Sequence, residues 1–463
     1  MIFTRNLISQ RRLLFTLLIG IASLCSSGSW ATADDSSSSS WSFSLGNINL
    51  FDIPKFPGVV FDAGSAKIQR HVKDSMKSLR NDVSIDPDII EDSMLKTPEL
   101  VKKYGYPSET HHVVTDDGYI LELHRIANHG AMPVLLTHGL LDSSATWVMM
   151  GPNKGLAYLL YERGYDVWMT NVRGNTYSRN HTKYTTKHAV FWDFTFHEMG
   201  KYDLPASINY VLDMTSSKQL HYIGHSQGTM TYFIMCSERP EMCDKVILMQ
   251  ALAPVAFLKH CKSPVVEALA FFQEPLALLL KMIGAHEFLP NNEFITLLNQ
   301  IVCDDDSFTE EICTNVMFLA AGFDKQQMNE TMLPVILGHA PAGAATKQMQ
   351  HYGQLKHSGH FRQYDYGWIR NHWRYGTINP PEYNLENVHS KVALHYSLND
   401  WLSTPQDVDK LRRKLPNVVG KFQVVNPKFN HLDFVWGMDA QEVLYNKVMA
   451  LMEMTERGDF NDM

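Results

Sequence analysis

Six short apolar runs, separated by longer stretches of helical character, form the main pattern of the chain. The runs are 134–137, 166–169, 220–223, 246–249, 392–396 and 422–425. Runs without polar alternation indicate strands that are buried on both faces, as in a parallel sheet covered by helices. A β-hairpin is predicted before them, because Asp117 and Gly118 separate the apolar runs 112–114 and 119–123. The pattern therefore predicts an α/β fold with a mostly parallel sheet.

Residues 257–385 interrupt this alternation. They are rich in Leu, Phe and Met and contain no comparable series of strand-like runs. We predict a mostly helical cap at 257–385 that sits on a core formed by 94–256 and 386–463. The most apolar part of the cap, 265–289, is broken by charged residues and a proline, which argues against a membrane span. Some of its side chains could line a cleft for acyl chains, and ordinary core packing is the alternative.

The first 33 residues have the composition of a secretory signal. Three arginines precede an apolar stretch from Leu13 to Leu24, and small residues follow up to Ala33. The uninterrupted apolar stretch is shorter than the roughly 20 residues that a bilayer requires. We therefore predict cleavage near Ala33 and no transmembrane segment in the mature chain. Residues 34–93 form an N-terminal extension that could be a pro-segment, an arm on the main domain or a flexible lead.

The overall composition permits a large hydrophobic core and a mildly acidic surface. The chain has 463 residues, 45% of them hydrophobic, and a formal net charge of −8. Removal of residues 1–33, which carry three arginines and no acidic residue, would make the net charge −11. An acidic excess argues against nucleic-acid binding. The oligomeric state is left open.

Cysteines and asparagine sequons fit an oxidising, secretory route. Cys303 and Cys313 flank a polar loop and could close it as a disulfide, Cys236 and Cys243 could also pair, and Cys261 would remain free.

The tripeptides that begin at Asn180 and Asn329 match the glycosylation sequon. They are consistent with a secreted or lysosomal protein, as the signal is.

Three histidines in the cap, His351, His357 and His360, could suggest a metal site. No carboxylate or cysteine pattern completes such a site, and the chain has no Cys-x-x-Cys pair. We therefore expect no metal and no cofactor.

The most informative motif is Gly224-His225-Ser226-Gln227-Gly228, which follows one of the buried runs and precedes a helical stretch. This is G-x-S-x-G in a strand–turn–helix context, the form of a nucleophile elbow. Its glycines permit a turn in which a Cβ would collide with neighbouring backbone. Ser226 would then lie at a helix N-terminus, where developing negative charge is favoured.

A serine nucleophile needs a base and a carboxylate that orients the base. The expected chain order for this fold is Ser, Asp or Glu, then His, each after a strand. Asp400 follows the run 392–396 and His431 follows the run 422–425. Both thus lie at the carboxyl ends of strands, where ligands bind in open α/β sheets. Asp407 and Asp433 are rival carboxylates: the first lies deeper in a helix and the second is very close to His431 in sequence.

An oxyanion formed at the substrate needs two N–H donors. One should come from Gln227, directly after the nucleophile, and the other from the loop 137–141 after an early strand. Leu140 N–H is the predicted second donor, and Gly139 allows the loop backbone to approach closely.

Ten further runs resemble the animal acid lipase family, which includes gastric lipase and lysosomal acid lipase. They are Thr97–Leu100, Tyr104–Pro107, Asp116–Leu121, His138–Leu141, Asn171–Ser178, Glu198–Ala206, Leu220–Thr229, Ala251–Ala256, Pro405–Val408 and Asn430–Phe434. The resemblance covers roughly residues 94–455.

This resemblance implies an α/β-hydrolase fold with a helical cap, including a mobile lid around 290–321. It implies the catalytic set Ser226, Asp400 and His431, with oxyanion donors at Leu140 and Gln227. It also implies a disulfide between Cys303 and Cys313, and the hydrolysis of triacylglycerols or cholesteryl esters.

The leading hypothesis is a secreted or lysosomal lipase that cleaves fatty-acyl esters of neutral lipids at a lipid–water interface. Two alternatives remain: a non-catalytic lipid-binding or storage protein on a lipase scaffold, and an esterase for short soluble esters.

Overall fold

The computed structural model describes residues 44–45, 48–49, 86–267, 270, 286–289, 320–322 and 324–459. Its strands are β1 Ser44–Leu45, β2 Ile48–Asn49, β3 Ser108–Val114, β4 Tyr119–Ile126, β5 Pro133–Thr137, β6 Asp166–Met169, β7 Asn180–His181, β8 Leu220–His225, β9 Val246–Leu252, β10 Glu287–Phe288, β11 Ala344–Ala345, β12 Val392–Tyr396 and β13 Val418–Gln423. Its α-helices are α1 Pro87–Met94, α2 Thr97–Lys103, α3 Leu156–Glu162, α4 Phe196–Glu198, α5 Leu204–Thr215, α6 Gln227–Glu238, α7 Leu333–His339, α8 Thr346–Ser358, α9 Trp368–Tyr375, α10 Pro405–Lys414, α11 Asp433–Trp436 and α12 Asn446–Arg457.

One large sheet organises these elements, in the order β13-β12-β9-β8-β5-β6-β4-β3, with β7 paired to β4. The six strands from β13 to β6 are parallel to one another, and β6 pairs antiparallel with β4. The β3–β4 hairpin is antiparallel and turns at Asp117 and Gly118, so the sequence prediction of this hairpin is confirmed. The mostly parallel sheet that the apolar runs predicted is confirmed as well.

Helices cover both faces of this sheet, because alternate residues of each buried strand point to opposite sides. Leu135 packs with residues of α5, α6 and α10 in one apolar cluster. Its neighbours Val134 and Leu136 pack with residues of α3 and α12 in a second cluster. All five residues of β5 are buried, which explains its unbroken apolar sequence.

The position of the last strand was predicted wrongly. The apolar run suggested 422–425, whereas β13 spans Val418–Gln423 and Val425 is 82% exposed. This strand is the edge of the sheet and only partly buried, so its hydrogen-bonded residues are not its most apolar ones.

The predicted cap contains α7, α8, α9 and the antiparallel pair β10–β11 among its described residues. The boundaries of the cap and of the core stay predictions. The signal at 1–33, most of the lid around 290–321, and both Cys303 and Cys313 lie outside the described residues. Within the described part of the chain, no helix combines the length and the apolar character needed to cross a bilayer.

Candidate active site

Ser226 occupies the sharp turn between β8, near the centre of the sheet, and α6. Its φ of +51° lies in the left-handed region, which side-chain-bearing residues rarely adopt. A Cβ on Gly228 would lie 2.2 Å from Thr137 O, and one on Gly224 would lie 2.7 Å from the Gly228 carbonyl carbon. Both glycines are therefore required for this turn, which presents the Ser226 hydroxyl at the carboxyl edge of the sheet.

The structure brings Ser226, His431 and Asp400 into one hydrogen-bonded chain. Ser226 Oγ lies 2.7 Å from His431 Nε2, and His431 Nδ1 lies 2.7 Å from Asp400 Oδ2. Asp400 and His431 are buried, and Ser226 is 9% exposed. With the Nδ1 proton directed at the carboxylate, Nε2 carries the lone pair that can accept the serine proton.

The loop after β12 fixes Asp400 through its own backbone. Asp400 Oδ1 accepts hydrogen bonds from Leu402 N–H at 2.8 Å and from Ser403 N–H at 2.7 Å. Ser403 Oγ in turn donates to Pro254 O, which ties this loop to the end of β9. One carboxylate oxygen is thus used for positioning, and the other remains free for the imidazole.

The loop after β13 is shaped by two side chains that flank His431. Asn430 N–H donates to Asp433 Oδ2 at 2.6 Å, and the Asn430 side-chain oxygen accepts from Leu432 N–H and Asp433 N–H. The carbonyl of His431 accepts a hydrogen bond from His225 Nε2 at 3.0 Å. Burial raises the pKa of Asp433 to about 8.

Neither rival carboxylate contacts the His431 ring. Asp407 is buried and accepts from the backbone N–H and Nδ1 of His260, both at 2.8 Å. Asp433 is occupied with the backbone of its own loop. The structure thus pairs His431 with the carboxylate that lies after the neighbouring strand.

The predicted oxyanion loop approaches the nucleophile closely. A Cβ on Gly139 would lie 3.3 Å from Ser226 Cβ and 3.1 Å from His225 Nδ1, so the next residue, Leu140, begins beside the serine. Gln227 is the first residue of α6, and its N–H therefore has no acceptor within that helix. Gln227 thus directly follows Ser226 in the chain, and Leu140 directly follows the glycine that approaches Ser226.

The side chain of Gln227 is held by the cap, a feature that sequence reasoning missed. Its Oε1 accepts from Gln348 Nε2 at 2.6 Å and from Tyr352 OH at 2.9 Å, both on α8. All three side chains are buried. Gln348 is one of three glutamines in the polar sequence of α8, so the sequence carries no signal that singles out this contact.

Two further buried histidines flank the site in their neutral form. Burial lowers the pKa of His138 to about 4 and the pKa of His225 to about 3. His138 Nδ1 donates to Gly139 O, and its Nε2 accepts from Val172 N–H. These neutral rings hold the oxyanion loop and the His431 loop without adding charge.

An apolar cluster adjoins the oxyanion loop. Leu140 and Leu141 pack there against residues of the cap. The cap residues are Val265, Phe288, Leu289 and Met349. The cap side of the oxyanion loop is therefore apolar.

The structure also places the cysteines and the sequon asparagines that the sequence singled out. Cys236 and Cys243 form a disulfide between the end of α6 and the approach to β9, which confirms that possible pairing, and Cys261 is free and buried. Asn180 is exposed on β7, and Asn329 precedes a short helical turn and is partly buried.

The three cap histidines do not converge. His351 is buried and its Nε2 donates to Arg362 O, whereas His360 contacts Glu382. Among the described residues, no group of three or more His, Cys, Asp and Glu side chains is arranged to hold a metal ion.

Comparison with known proteins identifies the family of this arrangement. The family model described as alpha/beta hydrolase fold matches residues 132–438, and the one described as partial alpha/beta-hydrolase lipase region matches residues 97–151. Lipase 1 of Drosophila melanogaster is 44% identical over 372 residues, which cover 80% of this chain and 82% of that protein. The gastric triacylglycerol lipase of Homo sapiens is 40% identical over 363 residues, which cover 76% and 90%, respectively.

The lysosomal acid lipase/cholesteryl ester hydrolase of Homo sapiens is 38% identical over 378 residues, which cover 80% of this chain and 92% of that protein. The three matches each cover between 76% and 80% of this chain. The chain therefore belongs to the animal acid lipase family of α/β-hydrolases.

Proposed function

We propose that this protein hydrolyses fatty-acyl esters of neutral lipids, triacylglycerols or sterol esters, through an acyl-enzyme on Ser226. It is a carboxylic ester hydrolase by family. The observation that carries the assignment of residues is the chain of two 2.7 Å contacts from Ser226 through His431 to Asp400. The relatives with gastric and lysosomal names support the class of substrate.

In the first half-reaction, Ser226 Oγ attacks the ester carbonyl carbon while His431 Nε2 takes the hydroxyl proton. Asp400 orients the ring and stabilises its cation. The tetrahedral oxyanion is held by the N–H groups of Leu140 and Gln227, and one such donor is typically worth about 3 kcal/mol. His431 then protonates the leaving alcohol as the C–O bond breaks.

In the second half-reaction, water attacks the acyl-enzyme. His431 Nε2 takes one proton from this water, the oxyanion forms again between the same donors, and the proton returns to Ser226 Oγ as the fatty acid leaves. The neutral state of buried His225 supports this scheme, because its ring lies 5.0 Å from the His431 ring and adds no positive charge beside the imidazolium that forms.

The substrate class is supported by the apolar cluster of Leu140, Leu141 and Met349 at the oxyanion loop. Burial of apolar area contributes about 25 cal/mol per Å², so a long acyl chain gains more there than a short one. This favours neutral lipid over short soluble esters.

We also propose a secretory route, with export or delivery to lysosomes. The disulfide between Cys236 and Cys243 supports an oxidising compartment. Exposure of Asn180 makes glycosylation there sterically feasible. The signal at 1–33 remains a sequence prediction.

The decisive experiment is a hydrolysis panel of triolein, cholesteryl oleate and a short soluble ester, between about pH 4 and about pH 8. Ser226→Ala should lower turnover on every cleaved substrate by about ten-thousandfold or more while the chain remains folded. Ser397→Ala, at a buried serine outside the hydrogen-bonded chain, is the matched control. Turnover that survives in the purified Ser226→Ala chain would disprove the role of this serine.

The panel also separates the alternatives. Lipid binding without turnover by the unmodified chain would indicate a lipid-binding protein on a lipase scaffold. Cleavage confined to the short ester would indicate an esterase.

A further inference from the structure

The helix α9, Trp368–Tyr375, presents an unusual surface. Four of the twelve large hydrophobic side chains that are exposed in the described part of the chain lie between residues 368 and 378. Trp368 is 70% exposed, Ile369 53%, Trp373 84% and Ile378 61%. Single exposed apolar residues are normal, but a group of this kind indicates an interaction site.

The helix is firmly attached by its other side. Asn371 is fully buried; its Nδ2 donates to Asp365 Oδ1 and Ile378 O, and its Oδ1 accepts from Tyr366 N–H. Tyr375 OH donates to Tyr364 O. An ordinary surface helix packs its apolar residues on the protein and exposes its polar ones. In this helix a polar residue packs on the protein and the tryptophans face solvent.

Charge is arranged around the same helix. At about 100° per residue, Trp368, Ile369 and Trp373 share one broad sector of the helix, and Arg370 and Arg374 share the next. Both arginines are exposed and neither has an ion pair among the described residues; the Arg374 guanidinium lies over the Tyr366 ring, 4.8 Å from its centroid. No acidic residue occurs from Tyr366 to Pro381.

We propose that α9 attaches this protein to lipid surfaces that carry anionic headgroups, through Trp368 and Trp373 as interfacial anchors and Arg370 and Arg374 as phosphate or carboxylate contacts. Helices with arginine on one face and tryptophan on the other lie in the headgroup region of a bilayer. Tryptophan prefers that region, and arginines are attracted to an anionic membrane surface. The high exposure of Trp373 indicates a protruding surface, which fits a fluid interface better than a rigid protein pocket.

The attachment surface is distinct from the hydrocarbon cluster at Leu140, and it connects to the site through α8. Lys347, on α8, contacts Tyr366 at the foot of α9, and Gln348 and Tyr352 contact Gln227. The choice of a lipid occupant rests on the proposed function. The binding itself is measured without catalysis, so the two proposals can fail separately.

The test is co-flotation of the full-length Ser226→Ala chain with vesicles of phosphatidylcholine alone or with about one third phosphatidylserine. The inactive background keeps the vesicles intact. We expect binding to the anionic vesicles, weakened about tenfold or more by the double change Trp368→Ser and Trp373→Ser. Val425→Ser, at an equally exposed apolar residue outside α9, should leave binding unchanged.

A second pair of variants tests charge. Arg370→Glu with Arg374→Glu should remove the preference for phosphatidylserine, whereas Arg412→Glu with Arg413→Glu, the same change of net charge on α10, should retain it. In chains with Ser226 intact, none of these changes should alter hydrolysis of a short soluble ester.

Three results would overturn the proposal. The first is vesicle binding that is unaffected by loss of both tryptophans. The second is an equal loss of the preference for phosphatidylserine in both pairs of arginine variants. The third is a dimer that the tryptophan changes convert to a monomer with vesicle binding intact, since that would assign the surface to a second copy of the chain. Absence of soluble-ester hydrolysis in every chain would instead count against the proposed function and leave the vesicle result standing.

Discussion

The nucleophile elbow and the cap helix α8 meet at Gln227, but they are held there by different means. On the elbow side, backbone packs on backbone: a Cβ at Gly228 would lie 2.2 Å from Thr137 O, and Ser226 N–H donates to Leu252 O of β9. On the cap side, Gln348 and Tyr352 reach Gln227 through side chains alone. The sheet therefore determines where the nucleophile lies, whereas the cap adjusts a site that already exists.

The largest effect should come from filling the elbow. Gly228→Ala would place a methyl group against the Thr137 carbonyl, and the Thr137 backbone cannot move away without disturbing its pairing with β8. We expect a loss of about 3 kcal/mol or more in unfolding free energy and no measurable esterase activity.

The matched change in the cap is Gly376→Ala at the end of α9. This glycine has a positive φ and open space around it, so only the left-handed strain of about 1 kcal/mol applies. Urea unfolding of both variants measures the difference. Equal losses would show that local strain, and not the approach of Thr137, dominates at the elbow.

The next effect concerns the far end of α6, the helix that begins at the elbow. Removal of the disulfide by Cys236→Ser with Cys243→Ser should cost about 2 kcal/mol of stability, because the closed loop is short. The turnover number for a soluble ester should not change, since Ser226 is fixed at the other end of the helix. A large loss of turnover at unchanged stability would show that the geometry of the elbow depends on this disulfide.

A smaller effect is expected from the cap contact. Gln348→Leu leaves the buried Gln227 Oε1 with Tyr352 as its single partner, and an incompletely satisfied buried group costs about 1–3 kcal/mol. We expect kcat for a soluble ester to fall about tenfold with KM unchanged, because the Gln227 N–H acts on the oxyanion and not on the bound ester.

Gln350→Leu is the control on the same helix, since Gln350 contacts Tyr364 and not Gln227. Its kcat should match that of the unmodified chain. A rise in KM in both variants, with kcat unchanged, would instead indicate that α8 shapes the substrate cleft as a whole.

The smallest effect concerns pH and the His431 loop. Burial raises the pKa of Asp433 from 3.8 to about 8, so the native state holds this proton more tightly than the unfolded chain does. The associated stability is present below about pH 4 and is lost as pH rises towards about pH 8. Asp433→Asn, with an amide oxygen still able to accept from Asn430, should therefore gain at least about 1 kcal/mol relative to the unmodified chain between about pH 5 and about pH 8.

Urea unfolding across that range measures the gain. The variant should still lose unfolding free energy at low pH. Burial lowers the pKa of His225 to about 3, so this histidine resists protonation in the native state. Parallel curves for the two chains would refute the assignment to Asp433.

The sequence predicted the sheet well because its strands are buried on both faces. In β5 every residue is buried, so the apolar run and the strand coincide. At the edge strand β13 the apolar run and the strand do not coincide, and the predicted strand lay too far towards Val425. The chain order of the three chemical groups indicated Asp400 and His431 because strand ends meet at one edge of a parallel sheet.

By itself, then, the sequence determined the elbow, the strands that deliver the three groups, and the resemblance to acid lipases, because each of these depends on residues near one another in the chain. The sequence favoured Asp400 as the partner of His431, but only the tertiary structure excluded the rival Asp407, which pairs with His260. The tertiary structure also decided that Gln348 and Tyr352 hold Gln227, and that the tryptophans of α9 face outward. The physical reason is that a side chain's partner is set by the packing of distant elements, and local pattern does not specify that packing.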